Sequence, residues 1–86
     1  MPLKYTWGRT VIAGEPQAHD FACEDGDVNV GRIYKHNAGP QSGSWFWAMN
    51  AVGPGIKRRN WNLSGTEETQ SAAAAMVERA YDLCRQ

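Results

Sequence analysis

The chain is poor in the residues that usually build a core. Leu, Ile, Val and Phe number 13 of 86 residues, about 15%, a level at which many chains stay disordered. No apolar run approaches the ~18 residues of a membrane span, so no membrane partner is expected. The opening Met1-Pro2-Leu3-Lys4-Tyr5-Thr6 lacks the apolar stretch of a secretory signal. Cysteine is scarce: Cys23 and Cys84 lie far apart and form no CxxC pair. They read as two reduced, partly buried thiols in a cytoplasmic protein. Net charge is also absent, at a formal value of zero, which argues against disorder and removes the overall basic excess common in nucleic-acid-binding domains.

Catalytic and metal-binding constellations are missing too. His19, Asp20, Cys23 and Glu24 are close in sequence but match no zinc-ligand spacing. The glycine-rich stretch 39–44 lacks the Lys-Ser/Thr ending and the following helix with which a P-loop holds phosphates. Ser64-Gly65-Thr66 has no partnered base. No catalytic residue, metal or cofactor is expected, and the chain does not read as an enzyme.

What the sequence does contain is four Trp, three Tyr and eleven Ala. Large aromatics bring much apolar area per residue, and alanine lets elements approach closely. The length suits one small domain over residues 1–86. Alternation and turn chemistry predict strands at 4–12, 18–24, 28–36, 44–52 and 56–63, with breaks at 14–17, 25–27, 37–43 and 53–55. On the third of these, Val28, Val30, Arg32, Tyr34 and His36 share one side. On the fourth, Trp45, Trp47 and Met49 share one side and Phe46, Ala48 and Asn50 the other. At least two of Trp45, Trp47 and Trp61 are expected in the core.

The period then becomes helical over 66–84, with Ser64 or Thr66 as the N-cap. Thr69, Ala73, Met76, Val77, Ala80 and Cys84 fall on one face, and Ser71, Glu78 and Asp82 on the other. The fold class is therefore α+β: a meander of about four to five antiparallel strands within 4–63, with one C-terminal α-helix packed on one face.

Zero net charge conceals a segregation. Residues 15–27 hold five acids and no Lys or Arg, whereas residues 28–66 hold five cations and no acid. That acid-free segment also carries three of the four Trp. A cationic, aromatic sheet surface suits phosphates and stacked bases. The opposing reading pairs the acidic hairpin with the basic meander inside the molecule, each exposed pair contributing only ~0–1 kcal/mol. The expected function is a non-catalytic binding module, with nucleic acid as the lead partner. The candidate contact residues are Arg32, Lys35, Phe46, Asn50, Lys57, Arg58, Arg59 and Trp61. The alternative is protein–protein contact or self-association through an exposed aromatic patch.

Two resemblances bear on this. Gly31-Arg32-Ile33-Tyr34-Lys35, Gly39-Pro40, Gly43, the run 45–50, Gly53-Pro54-Gly55, the run 64–69 and Val77-Glu78-Arg79-Ala80-Tyr81 resemble a group of small bacterial proteins without an assigned activity. Gly43-Ser44-Trp45, Thr66-Glu67-Glu68 with Ala72-Ala73, and Ala80-Tyr81-Asp82 are similar to the three-strand-plus-helix DNA-binding domain of AP2-type factors and tyrosine-recombinase arm-binding domains. That family carries several Arg on its first strand, where this chain has Arg32 and Lys35. The resemblance implies that Arg32, Arg58, Arg59 and Trp61 face DNA.

Overall fold

Alternating side chains carry the backbone through five consecutive antiparallel strands before the alanine-rich tail turns helical. The computed structural model describes residues 3–36, 39, 43–58 and 63–85. The strands are β1 (Thr6–Ile12), β2 (Glu15–Asp25), β3 (Val28–Lys35), β4 (Trp45–Met49) and β5 (Ser64–Glu67), followed by the helix α1 (Gln70–Cys84). They form one open sheet in sequence order, β1-β2-β3-β4-β5, with every neighbouring pair antiparallel. The helix lies across β3, β4 and β5. The α+β meander with one packed C-terminal helix is the architecture of this chain.

Several boundaries differ from the sequence reading. The β1–β2 hairpin turns on Ala13 and Gly14, both at positive φ (51° and 81°), which a type I′ turn requires at its two central positions. β2 therefore starts at Glu15 and runs through Pro16, which pairs with Val11. Pairing with β3 reaches only to Asp20↔Tyr34, so Pro16 stands where β2 has no described strand on that flank, a place where proline is tolerated.

Strict alternation in β3 also fails. Cys23 pairs with Gly31 but Glu24 pairs with Asn29, so Val30 is the extra residue of a β-bulge. The bulge turns Val30 into the core, away from Arg32.

The expected strand 56–63 is not formed in its described part. Ile56, Lys57 and Arg58 are irregular, and residues 59–62 lie outside the described residues. The fifth strand is instead Ser64–Glu67, pairing Ser64 with Ala48 and Glu67 with Trp45. It covers the flank of the tryptophan-rich β4, which would otherwise be an unpaired apolar edge.

Ser64 and Thr66 are consequently not helix caps. Thr69 is the N-cap, with extended backbone and its hydroxyl accepting from the Ala72 amide at 3.1 Å. At the other end, the Lys57 amide donates to the Cys84 carbonyl at 2.6 Å, satisfying one of the orphan acceptors of the last turn.

The core lies between the sheet and α1. Cys23, Val30, Ile33, Trp45, Trp47 and Met49 come from the sheet; Ala73, Ala74, Val77, Ala80, Tyr81 and Cys84 come from the helix. Trp45 and Trp47 thus fill the space that the alanine face leaves open. Gly31 is the point of closest approach: a Cβ there would lie 2.7 Å from Val77 Cγ1 and nearer still to the Ala48 carbonyl oxygen.

Glu78 departs most from its expected place. It is 5% exposed rather than solvated, because the residues leading into and opening β1 bring donors to it. Its carboxylate accepts from the Lys4 amide (2.8 Å), the Tyr5 amide (3.1 Å) and Trp7 Nε1 (2.8 Å). One turn further on, Asp82 accepts from the Lys4 ammonium and the Tyr5 hydroxyl. Among the described residues, no helix is long and apolar enough to cross a membrane.

Candidate functional site

With α1 on one face, the other face of the sheet is left uncovered by described elements. Strand register decides which side chains it presents. One row across β1 to β5 is Gly8, Ala22, Arg32, Ala48 and Ser64. The next is Asp20, Tyr34, Phe46 and Thr66. Apart from Arg32 the first row is small, which leaves the Tyr34 and Phe46 rings of the second half-exposed.

Tyr34 and Phe46 are cross-strand partners with ring centroids 5.0 Å apart and planes tilted by 35°. His36 closes the cluster, 5.7 Å from Tyr34 and 6.3 Å from Phe46. Aromatic pairs at these separations are mutually attractive, and the three rings form one half-exposed platform.

Arg32 borders the platform. Its guanidinium carbon is 5.3 Å from the centroid of the Tyr34 ring, within cation–π range. Nε donates to Asp20 Oδ1 at 2.8 Å, and Nη2 donates to Asp20 Oδ2. This two-point fork leaves Nη1 directed elsewhere and fixes the plane of the group. Asp20, only 9% exposed, also accepts from the Thr10 hydroxyl at 2.8 Å. The Arg32 hydrogen bond, helped by Thr10 and opposed by burial, holds the Asp20 carboxyl below the usual carboxylate range. The pair is one instance of the intramolecular charge pairing expected between the acidic hairpin and the basic segment.

Beside the platform, β2 and β3 part beyond Asp20↔Tyr34 and open a shallow cleft of about 500 Å3. Residues 17–20 form one wall; Arg32, Tyr34 and Lys35 form the other. Lys35 and His19 have no acidic partner among the described residues.

The remaining candidate residues do not join this face. Lys35 pairs with Trp45 and so belongs to the helix-side row, and it lines the cleft. Asn50 is exposed past the end of β4, where its amide bonds to the Val30 carbonyl. Lys57 sits at the end of α1. Arg58 Nη1 donates to the Met49 (3.1 Å) and Ala51 (2.9 Å) carbonyls. Arg59 and Trp61 lie outside the described residues.

Conversely, Tyr34, His36 and Asp20 complete the cluster without having been candidates. Tyr34 and His36 share the parity of Arg32, a signal available in the sequence; their meeting with Phe46 depends on register. Alternation along β2 separates His19 and Cys23 from Asp20 and Glu24. No three His, Cys, Asp or Glu side chains gather among the described residues.

Fold and site together define a small α+β domain with an open, aromatic sheet face. Comparison with protein-family models, curated proteins and solved structures finds no match to this chain.

Proposed function

We propose that this protein is a non-catalytic binding module whose open sheet face engages nucleic acid. The observation that carries the reading is the Tyr34–His36–Phe46 platform with the Arg32 guanidinium fixed over Tyr34, on the face that α1 leaves uncovered. Rings in such a setting stack on bases, and a guanidinium beside them contacts phosphate or base edges. The resemblance to three-strand-plus-helix DNA-binding domains supports the same face, through Arg32. Two free, buried thiols suit a reducing cytoplasm.

The test is an anisotropy titration of the full chain with labelled single-stranded and duplex oligonucleotides at low salt. Binding that Phe46→Ala weakens supports the reading; no binding to either form removes it.

A second reading, self-association or contact with another protein, has its own observation. Val11 (61% exposed) and Ile12 (52%) stand at the tip of the β1–β2 hairpin, and β1 is an edge strand. Such edges can recruit a further strand. A sedimentation profile that stays monomeric at high concentration would count against self-association.

A further inference from the structure

The ring platform and the cleft share Tyr34, so the two features adjoin. One offers aromatic faces; the other, lined also by the Asp20 carboxylate that Arg32 pairs, offers Lys35, His19 and the Nη1 edge of Arg32, which has no partner among the described residues, around a space of about 500 Å3. A nucleotide has this same division, a flat base beside an anionic phosphate.

We infer that the ligand is a single strand, with a base stacked on the Tyr34–Phe46 ring pair and its phosphate seated in the adjoining cleft beneath Lys35 and Arg32. The inference rests on the nucleic-acid reading above and narrows it. Two observations favour a single strand over a duplex. First, bases in a duplex are stacked on one another and cannot lie on protein rings, whereas unpaired bases can. Second, Arg32 is the one cation among the described strand residues of the open face, and Asp20 already pairs with it. A duplex held through its backbone needs many phosphate contacts; this face supplies few.

The inference makes binding depend on rings more than on charge. With about two phosphates neutralised at ~0.7 each, the log–log salt slope is expected to be shallower than about −2. The experiment uses the full chain and three fluorescein-labelled probes of equal length: oligo-dT, an abasic strand of equal charge, and a duplex. Oligo-dT is expected to bind at least ~10-fold more tightly than the abasic strand or the duplex, since each stacked base is worth about that factor or more. Phe46→Leu, which keeps apolar bulk for folding, is expected to lose that preference, and Phe46→Trp to keep it. Lys35→Ala is expected to flatten the salt slope by about 0.7.

If all three probes bind alike with a steep salt slope that Phe46→Leu leaves unchanged, this inference falls while nucleic-acid binding stands. If the duplex binds best, the same holds. If none of the probes binds, both fall.

Discussion

Gly31 has no side chain because the helix and the next strand leave it no room. Both neighbours of its missing Cβ are immobile: Val77 is fully buried, and the Ala48 carbonyl belongs to the sheet. Gly31→Ala should therefore cost about 2–3 kcal/mol, the upper part of the ~1–3 kcal/mol range for overpacking a filled core. In a domain of this size that lowers the thermal midpoint by about 10–20 °C, measurable by circular dichroism. Charged residues set the acid limit. Asp20 is held low by Arg32. At Asp82, burial pushes the carboxyl up but the Lys4 and Tyr5 hydrogen bonds outweigh it, and the net shift is downward. Both folded values thus lie below the unfolded ~3.9. The stability they contribute is present above about pH 4 and is lost as pH falls through the folded values. The urea midpoint should drop across that window, and Asp20→Asn should flatten part of the drop. The Arg32 side chain is nearly half exposed, so solvent screening keeps that part to about 1 kcal/mol or less.

At the scale of elements, the attachment of the N-terminal segment to α1 is the least expected arrangement. The helix presents two carboxylates one turn apart, Glu78 and Asp82, and residues 4–7 supply donors to both. Glu78→Gln keeps the shape but removes the charge and introduces an amide donor among donors. It should destabilise by about 2–3 kcal/mol, as for hydrogen bonds to a charged group. Trp7 should then become open to acrylamide quenching while Trp45 and Trp47 remain protected. Comparing the variant with its Trp7→Phe counterpart isolates that signal, and an unchanged Trp7 contribution would mean that the strap is held by something else. The same network acts at high pH. Burial, with the Asp82 hydrogen bond and charge, pushes the Tyr5 phenol up to about 12. Its contribution is present below the unfolded value near 10 and is lost as pH rises toward 12. Burial and the hydrogen bond to Asp25 push the Tyr81 phenol up as well, so absorbance at 295 nm should show two tyrosines ionising late.

The whole molecule stretches a small apolar inventory. Its radius of gyration is 12.8 Å, against about 12 Å for a chain this long. The excess fits a helix that covers β3 to β5 while the β1–β2 hairpin extends past it. What core there is encloses both thiols. Burial, then the charges of Glu78, Asp25 and Glu24, pushes the Cys23 thiol up to about 12. A thiol so placed is inert. An aromatic disulfide reagent at pH 8 should leave both cysteines of the native protein unmodified and titrate both once urea unfolds it. Rapid reaction of the folded protein would show that the helix opens from the sheet.

Local periodicity was enough to place the helix stripe of Ala73, Val77, Ala80 and Cys84, and to turn Trp45, Trp47 and Met49 inward, because both depend only on 3.6- and 2-residue repeats. The fold class followed from the same repeats and the turn residues between them. Tertiary structure alone decided the fate of Val30, turned inward by a bulge that arises from strand pairing. It also made residues 64–67 a strand, because β4 needs a neighbour more than the helix needs an earlier start. It buried Glu78, whose amide partners come from more than 70 residues away in the chain. The ring platform belongs with these: Tyr34, His36 and Phe46 meet through the register of β3 on β4, and register is a property of two strands together, which neither carries by itself.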